Sequence, residues 1–324
     1  MRVLLDTSYA ARGPSGTAVY IERLAGALRR LDGVELIEAS QPRRLRRGAG
    51  NPLRSAVNAV LDWLWLHLGL PRAARKARAD VVHHPLPAYS GRIQATQVAT
   101  VHDLAFLRHP EGYGRIWRVL AERAYRRAAE RCGALVCVSE AVAEEVDARH
   151  VVVAHHGPGQ ELPAAESAER RYFLYVGDDE RRKNVGALID AYESLGRREE
   201  PRPGLVLAGS AGEVPVSPAR LAELYAGAAA LVHPSIEEGF GLTLLEAMAT
   251  GTPVIAVRTP AAEEVCGEAA LLVEPQGLEE AMARVAGDPE LRERLSAAGR
   301  QRAAGFSWDE SARLHLSAYT LALE

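Results

Sequence analysis

Two glutamates and a glycine-bearing turn stand close together in residues 233–253, HPSIEEGFGLTLLEAMATGTP. Glu238 directly precedes Gly239-Phe240-Gly241, and Glu246 follows eight residues after Glu238. An ionised carboxylate can only accept hydrogen bonds, so hydroxyl groups are the natural partners of both side chains. The residue types therefore predict a site for a ligand that carries hydroxyls.

A strand and a helix are predicted to position this turn. Residues 228–232 form a short apolar run typical of a buried parallel strand. Residues 242–249 have a helical pattern, which Thr-Gly-Thr-Pro at 250–253 ends. A turn between a strand and a helix presents free backbone N–H groups and the positive end of the helix dipole to an anion. Because the glycine segment is turn, both glutamates can face one crevice.

The segment from Glu238 to Glu246 resembles the E-x7-E signature of the retaining GT-B glycosyltransferases of glycosyltransferase family 4, also called group 1. The resemblance implies that Glu238 lies by the donor sugar as a catalytic residue and that Glu246 binds the ribose of the nucleotide. It also implies that the turn and the helix start bind the donor sugar and diphosphate, through Gly239, Phe240, Gly241, Leu242 and Thr243.

Two other interpretations of this segment carry less weight. A dinucleotide-binding turn would have a third glycine where Leu244 stands. The two glutamates could also mark only a solvated helix start, but the surrounding HPSIEEGFG and EAMATGTPVIA sequences favour the family.

A basic pair is the second candidate cluster. The chain has 37 arginines but only two lysines, Lys76 and Lys183, and a compact ammonium is a good phosphate partner. The sequence from Gly177 onward resembles the family's G-x-x-x-x-R-K-N, whose basic pair holds the diphosphate. This assigns Arg182 and Lys183 to donor binding, with a solvated helix start as the alternative. Asp178 stands where the family often has arginine, so phosphate binding is expected to be weaker or differently shared.

His102 and Gly16 are the candidates in the first half. His102 ends a strand predicted over residues 97–101, and open α/β sheets bind ligands at such strand ends. The sequence T-V-H-D-L ahead of Pro-Glu is similar to the family's, in which this histidine reaches the donor sugar. A capped polar residue is the alternative, and Asp103 is expected to orient the ring. Gly16 directly precedes the helix predicted over 17–31. The turn that ends at Gly16 is interpreted equally well as a phosphate-binding turn and as a plain βα loop.

Length and composition predict two domains in a cytoplasmic protein. The 324 residues exceed a usual single core. Residues 1–165 carry 23 Lys/Arg against 16 Asp/Glu, whereas residues 166–324 carry 16 against 26, and no nucleic-acid-binding motif accompanies the basic half. No apolar run reaches the ~18 residues of a membrane span. The N-terminus lacks a signal-peptide pattern, and the three cysteines are interpreted as reduced core residues.

The resemblance implies an α/β fold of GT-B architecture, with two Rossmann-like doubly wound parallel-sheet domains facing a central cleft. Residues 1–165 are the expected acceptor-binding domain and residues 166–306 the nucleotide-sugar-binding domain. Residues 307–324 form a helix that is expected to cross back to the first domain. A helix and a strand that the family usually has after Ala208 are missing. Since they normally build the wall near the nucleotide base, base selectivity stays open.

The implied function is retaining transfer of a hexose, mannose or glucose, from a nucleotide sugar to a hydroxyl of a glycan or lipid-linked saccharide. The sequence VHDLAFLRHPE favours GDP-mannose over UDP-glucose. The chain has no D-x-D motif, so no metal or other cofactor is expected, and Arg182, Lys183 and helix N-termini would offset the diphosphate charge. A nucleotide-sugar epimerase and a catalytically impaired nucleotide-sugar-binding module are the alternatives.

A helix predicted over residues 53–70 has two apolar stripes, of which one is expected to pack on the sheet. That stripe consists of Leu53, Val57, Val60, Leu61, Leu64 and Leu68. Trp63, Leu66 and Leu70 lie nearly opposite, and residues 41–79 hold nine basic residues against one acid. Such a surface attracts an anionic membrane, which predicts peripheral contact with the inner membrane face and a lipid-linked acceptor. Alternatively, the basic loop 41–50 covers this stripe and its arginines are merely solvated.

Overall fold

The chain divides into two compact units in a computed structural model. Met1–His156 and Trp308–Glu324 form the first unit, and Gly157–Ser307 form the second. The structure describes residues 1–13, 15–42, 52–159, 162, 171–196, 203–212 and 216–324. The predicted basic loop at 41–50 therefore lies mostly outside the described residues.

The first unit is built on a six-stranded parallel sheet with the order β2-β1-β3-β4-β5-β6. Its central strands are continuous apolar runs because helices cover both faces of a parallel sheet. The strands are β1 Arg2–Asp6, β2 Glu35–Ala39, β3 Val81–His84, β4 Thr96–Val101, β5 Ala134–Cys137 and β6 Val151–Val153.

In the part of this unit that the structure describes, six helices are interleaved with the strands along the chain. They are α1 Gly16–Leu28, α2 Pro52–Leu64, α3 Leu70–Ala77, α4 Ala105–Arg108, α5 Arg115–Arg131 and α6 Glu140–Ala143. Helix α1 begins where Ser15 accepts a hydrogen bond from the Ala18 N–H at 3.2 Å, and Ser139 caps α6 in the same way through the Val142 N–H. Between α2 and α3, residues Trp65–Gly69 form a π-helix.

The expected packing of the helix at residues 53–70 is wrong. Val60 is 58% exposed, and Val57 and Leu64 are exposed as well, whereas Leu70 is fully buried and Leu66 packs against the same core cluster. Of the stripe expected on the outside, Trp63 is exposed. The inward side of α2 is partly polar, and the π-helix inserts an extra residue per turn, which rotates every later side chain relative to an ideal α-helix.

Two hydrogen bonds hold α2 in this orientation. Asp62 accepts from Arg12 at 3.0 Å, and the Trp65 indole N–H donates to Asp6 at 3.1 Å. Both carboxylates are partly buried, and leaving such groups without a partner would cost about 1–3 kcal/mol each. These contacts join residues that are 50 and 59 positions apart in the sequence. Helical periodicity alone therefore cannot predict them.

The second unit has a five-stranded parallel sheet with the order β11-β10-β9-β7-β8. The strands are β7 Tyr172–Val176, β8 Gly204–Ala208, β9 Ala228–His233, β10 Val254–Val257 and β11 Leu271–Val273. The helices are α7 Val185–Leu195, α8 Pro218–Gly227, α9 Leu242–Thr250, α10 Pro260–Cys266, α11 Leu278–Gly287 and α12 Pro289–Ala303. Within the described residues, β8 and β11 are the edge strands.

Helix α8 was not anticipated from the sequence, although its signals are present. Ser217 accepts a hydrogen bond from the Arg220 N–H at 3.2 Å, and Pro218 occupies the first turn. Leu221, Leu224 and Tyr225 then recur at helical spacing and are buried. This helix supplies one of the groups that contact the candidate site.

The last helix, α13 (Trp308–Leu323), belongs to the first unit. It contacts α1 together with β4, β5 and β6, and Arg30, which follows α1, pairs with Asp309 at 2.6 Å. His315 and Tyr319 of α13 are fully buried. Among the described residues, no helix combines the length and apolar character needed to span a membrane.

Candidate functional site

Glu238 lies in the turn that joins β9 to α9 in the second unit. Strand β9 ends at His233, and Gly241 has a φ of 99° immediately before α9. That left-handed conformation favours glycine, and it lets the chain turn sharply into the helix. The first backbone N–H groups of α9 have no partner within the helix itself.

Three basic or polar side chains surround the Glu238 carboxylate. Its Oε1 accepts hydrogen bonds from Lys183 Nζ at 2.6 Å and from His233 Nε2 at 2.9 Å, and Arg182 Nη1 lies 3.7 Å from Oε2. Burial by itself would raise the pKa of Glu238. The ammonium of Lys183, the hydrogen bond from His233 and the charge of Arg182 outweigh that effect and hold the pKa well below its usual range. Glu238 is therefore an ionised carboxylate.

The orientation of His233 follows from its two neighbours. Since an ionised carboxylate can only accept, His233 carries its proton on Nε2 and donates to Glu238. The Thr243 hydroxyl lies 3.4 Å from the other ring nitrogen, Nδ1. The ring therefore lies between Glu238 and Thr243. His233 had no role in the sequence-based prediction, although it begins the same contiguous segment.

The second carboxylate oxygen of Glu238 keeps acceptor capacity. Both short hydrogen bonds go to Oε1, and the 3.7 Å separation between Oε2 and Arg182 exceeds hydrogen-bond distance. A hydroxyl group placed next to Oε2 would find an ionised acceptor in a fixed position. The arrangement suits the binding of a polyhydroxylated ligand.

Glu246 is a buried residue of α9. Its contacts differ from those of Glu238 and Lys183. The Tyr225 hydroxyl donates to its Oε2 at 3.0 Å, and burial beside this carboxylate raises the pKa of Tyr225 well above its usual value. Gly159 lies against the other oxygen, where a Cβ atom would be 2.2 Å from Oε1. A side chain at 159 would therefore displace the Glu246 carboxylate from this position.

The basic pair occupies a short turn between β7 and α7. Residues Arg181–Lys183 form one 3-10 turn, followed by Asn184 with a φ of 51°. The backbone of Arg182 accepts from the Ile236 N–H at 2.9 Å, and its guanidinium donates to the Glu237 carbonyl at 3.3 Å. These bonds tie the basic turn to the turn that carries Glu238.

Asp178 stands at the exposed end of β7 and is held by a neighbouring loop. Its Oδ1 accepts from the Ser210 hydroxyl at 2.8 Å, and Ser210 also accepts from the Asp179 N–H at 3.1 Å. Gly209 approaches so closely that a Cβ atom there would lie 2.3 Å from the Gly177 carbonyl oxygen. The loop after β8 therefore packs directly against the loop after β7.

The remaining predicted donor-binding residues differ in accessibility. The Phe240 side chain is buried and meets Phe306 edge-on at 6.0 Å, so it packs the turn. Leu242 is partly exposed at the start of α9, and Gly239 is buried. Gly16 is exposed at the start of α1 in the first unit. Among the described residues, no group of three His, Cys, Asp or Glu side chains is arranged to hold a metal ion.

His102 follows β4 in the first unit, and its ring orientation is fixed by the backbone. Its Nε2 lies 3.0 Å from the Pro85 carbonyl oxygen, which can only accept, so the proton resides on Nε2 and Nδ1 is an acceptor. Burial lowers the pKa of His102 to about 4. The expected orienting role of Asp103 is wrong, because its carboxylate accepts from the Ala105 N–H at 3.2 Å and so begins α4.

A buried polar cluster lies beside His102 and was not anticipated. The Tyr20 hydroxyl contacts Thr100 at 2.7 Å and His315 Nε2 at 2.9 Å, and its ring meets the His102 ring edge-on at 4.7 Å. His83 contacts Thr100 at 2.8 Å and the Tyr319 hydroxyl at 2.7 Å. The cluster joins α1, β3, β4 and α13.

A cavity of about 220 Å³ lies in the first unit where β1 and β3 end. Asp6 and His84 are the last residues of those strands, and α2 contributes Asp62, Trp63 and, after it, Trp65. The Arg12 guanidinium stacks on the Tyr9 ring at 3.2 Å and also lines the cavity. Ligands bind at such strand ends in open α/β sheets.

Two family descriptions match separate parts of the chain. Residues 14–157 match Glycosyltransferase Family 4, and residues 212–302 match Glycosyl transferases group 1. The first match lies within the first unit and includes His102. The second lies within the second unit and includes Glu238 and Glu246.

Individual relatives are similar over different lengths. O-antigen chain mannosyltransferase B of Escherichia coli is 27% identical over 75% of this chain and 74% of its own length. O-antigen chain mannosyltransferase RfbU of Salmonella typhimurium is 29% identical over 66% of this chain and 65% of its own length. D-inositol 3-phosphate glycosyltransferase of Streptomyces griseus is 43% identical over 34% of this chain, and only 24% of its own length is spanned.

Solved structures share the fold. Sucrose-phosphate synthase from Thermosynechococcus elongatus superposes with a TM-score of 0.73 at 20% identity, over 99% of this chain and 98% of that one. WaaG, a glycosyltransferase involved in lipopolysaccharide biosynthesis, has a TM-score of 0.62 at 16% identity, over 99% of both chains. The predicted GT-B class with two parallel-sheet α/β domains is confirmed.

Proposed function

Since the chain belongs to glycosyltransferase family 4, the group 1 glycosyltransferases, we propose that it transfers a hexose from a nucleotide sugar to a hydroxyl acceptor with retention of anomeric configuration. The observation that carries this proposal is the cluster of Lys183, His233 and Glu238. It combines an ionised carboxylate that has a free acceptor oxygen with a cation suited to phosphate, at the ends of adjacent parallel strands.

In the proposed mechanism, Glu238 binds the donor sugar and Lys183 binds the diphosphate. Oε2 of Glu238 accepts from sugar hydroxyls, and His233 holds the carboxylate in place through Oε1. Lys183 shares its charge between Oε1 and the diphosphate, assisted by Arg182 and by the N-terminus of α9. These positive groups stabilise the charge that develops on the leaving phosphate. The leaving phosphate itself accepts the acceptor's proton, so we expect no metal requirement.

Glu246 is proposed to bind the ribose of the nucleotide. Its carboxylate is buried and already receives one hydrogen bond from Tyr225 at 3.0 Å. A carboxylate has capacity for further donors, and the two ribose hydroxyls are such donors. Tyr225 would then act as a positioning residue that keeps the carboxylate in one orientation.

His102 is proposed to act on the donor sugar as a hydrogen-bond acceptor. Its Nε2 proton is engaged by the Pro85 carbonyl, so Nδ1 is the nitrogen open to a sugar hydroxyl. With a pKa of about 4, the ring is neutral near neutral pH. It is therefore suited to orient a hydroxyl rather than to supply a proton.

Mannose is the sugar best supported, with GDP-mannose as the proposed donor. Two relatives that align over about two thirds or more of the chain are O-antigen chain mannosyltransferases. Glucose stays the alternative sugar. The loop after β8 packs directly on the loop after β7, and β8 is an edge strand within the described residues. This compact edge supports the expectation of an altered wall near the nucleotide base.

The first unit is proposed to bind the acceptor in the cavity between Asp6 and Trp63. Carboxylates beside exposed aromatic rings suit a saccharide, because hydroxyls donate to the oxygens while the apolar sugar face packs on a ring. Val57, Val60, Trp63 and Leu64 expose apolar surface on the adjoining helix α2. This surface supports peripheral contact with the inner membrane face and a lipid-linked saccharide as acceptor, in polysaccharide biosynthesis.

Incubation with labelled GDP-mannose, UDP-glucose and ADP-glucose tests the reaction. We expect sugar transfer, or slow donor hydrolysis when no acceptor is present, unaffected by EDTA. NMR of the product should show the donor's anomeric configuration. Glu238→Gln should slow sugar transfer. The matched control Glu223→Gln, which changes an exposed glutamate on α8, should transfer sugar like the unmodified chain. If the enzyme epimerised the donor, the protein would be an epimerase. If it bound the donors but neither transferred nor hydrolysed any of them, it would be a binding module.

A further inference from the structure

A second concentration of positive charge lies on helix α5 of the first unit. Four arginines of this helix line an open cavity of about 560 Å³. Residues four and eight positions apart share one face of a helix, so three of them form a continuous row. The residues that line the cavity are Tyr89, Gly91, Arg123, Arg126, Arg127, Glu130 and Arg131.

Most of this charge is not neutralised by the protein. Arg126 pairs with Glu122 at 2.7 Å. In the part of the chain that the structure describes, the guanidinium groups of Arg123, Arg127 and Arg131 have no carboxylate within ion-pair distance. Glu130 is the one carboxylate on the cavity wall. Like charges on one helix face repel each other, so a bound anion would relieve an unfavourable arrangement.

The field of these arginines reaches a neighbouring element. His67 of the π-helix lies 3.1 Å from Ser90 in the loop that borders the cavity. Burial lowers the pKa of His67, and the charges of Arg92 and Arg127 lower it further. The positive charge of Arg127 on the cavity wall therefore acts on His67 beyond the cavity.

The first half of α5 continues the same face with apolar side chains. Ile116 is 79% exposed and Leu120 is 59% exposed; with Arg123, Arg127 and Arg131 they fall on one stripe at helical spacing. Trp117 is 53% exposed beside them and stacks on Tyr113 at 4.9 Å. From Ile116 to Arg131 this α5 stripe is about 22 Å long at ~1.5 Å per residue.

We propose that the α5 stripe binds one phosphorylated lipid. Its phosphate or diphosphate group occupies the arginine cavity, and its hydrocarbon chain lies along Ile116, Trp117 and Leu120. Guanidinium forks match phosphate oxygens bidentately, and the exposed apolar half distinguishes a lipid phosphate from a free phosphate. The site lies wholly in the first unit and uses no residue assigned to the donor.

Isothermal titration of the full chain with three probes tests the site. The probes are farnesyl diphosphate, inorganic pyrophosphate and farnesol. We expect farnesyl diphosphate to bind at least about tenfold more tightly than pyrophosphate, because burial of the chain adds to the ionic contacts. Farnesol should show no binding at the same concentrations. Trp117 fluorescence should change with farnesyl diphosphate, and the change should vanish in Trp117→Phe.

Substitutions on the exposed stripe separate its two halves without disturbing the core. Arg123→Ser with Arg127→Ser should weaken farnesyl diphosphate and pyrophosphate binding at least about tenfold. Leu120→Ser should weaken only farnesyl diphosphate. The matched control Arg294→Ser, an exposed arginine on α12, should bind both probes like the unmodified chain. Lys183→Ala in the donor cluster should keep the full affinity for farnesyl diphosphate.

Several results would overturn the assignment. These are no binding of farnesyl diphosphate, equal affinity for pyrophosphate, or full affinity in the Arg123→Ser, Arg127→Ser variant. Loss of farnesyl diphosphate binding in Lys183→Ala would show that the probe binds at the donor cluster, which would also reject the α5 site. Failure of sugar transfer would leave the binding result standing, because the two experiments use different residues.

Discussion

The buried histidines of the first unit should make its stability fall steeply in mild acid. Burial lowers the pKa of His102 and of His315 to about 4, and it lowers the pKa of His83 and His156 well below the usual value. An unfolded histidine titrates near 6.5. As pH falls below that value, the unfolded chain binds protons that the folded unit does not bind. The free energy of unfolding is therefore highest above about pH 6.5 and decreases as pH falls toward 4.

The size of the effect follows from the two pKa values of about 4. A histidine that moves from 6.5 in the unfolded chain to 4 in the folded unit contributes a loss of about 2 kcal/mol between pH 7 and pH 5. His102 and His315 together give about 4 kcal/mol, and His83 and His156 act in the same direction. Such a loss is a large part of the ~5–15 kcal/mol that stabilises a typical domain.

Urea unfolding followed by tryptophan fluorescence measures this loss. All four tryptophans belong to the first unit, and Trp308 stacks on His156 at 5.1 Å. Carboxylates with ordinary pKa values take up most of their protons below about pH 5. The interval from pH 7 to pH 5 therefore isolates the histidines.

A substitution of His315 separates this cause from others. His315 donates from Nδ1 to the Ser311 carbonyl at 2.7 Å, and the amide of His315→Asn can replace that donor. Between pH 7 and pH 5, the free energy of unfolding of the variant should fall by about 2 kcal/mol less than that of the unmodified chain. At pH 7 the variant is expected to be less stable than the unmodified chain. His150→Asn, outside the cluster, should keep the full loss. An unchanged pH dependence in His315→Asn, or no loss in the unmodified chain, would refute the reasoning.

Four further results are expected. Glu246→Ala should weaken nucleoside diphosphate binding by about 1–3 kcal/mol in isothermal titration, because ribose hydroxyls lose a hydrogen-bond acceptor; unchanged affinity in a folded variant would reject the ribose role. Gly159→Ala should also weaken that binding, since its Cβ would displace the Glu246 carboxylate; wild-type affinity would show that the carboxylate relaxes freely. Glu238→Gln and His102→Ala should slow transfer far more than they weaken nucleoside diphosphate binding, because their contacts strengthen as charge develops at the sugar; equal losses in both measurements would place these residues on the nucleotide. Trp63→Ser should reduce sedimentation with anionic vesicles at low salt, and absence of binding by the unmodified chain would end the membrane proposal.

Most of the secondary structure and the contiguous part of the candidate site could be predicted from local sequence. The strands predicted over residues 228–232 and 97–101 are present as β9 and β4, because buried parallel strands are continuous apolar runs bounded by turn residues. The helix predicted over residues 242–249 is present as α9, since helix ends depend on residues within one turn. Glu238 and Glu246 were found because the segment that carries them is contiguous and distinctive. The same holds for Lys183, which stands out in a chain with 37 arginines.

The tertiary structure alone decided which partners these residues have. Glu238 meets Lys183 across 55 positions, because parallel strands need long crossovers to place their ends together. Tyr20 meets His315 across 295 positions, because the last helix belongs to the first unit. The inward side of α2 was likewise set by tertiary contacts. Asp62 accepts a hydrogen bond from Arg12, and Trp65 donates one to Asp6. The π-helix after Leu64 also changes the direction in which the later side chains point. Hydrophobic periodicity records only which side chains avoid water, whereas a buried polar group packs where its hydrogen-bond partner lies, and that partner belongs to another part of the chain.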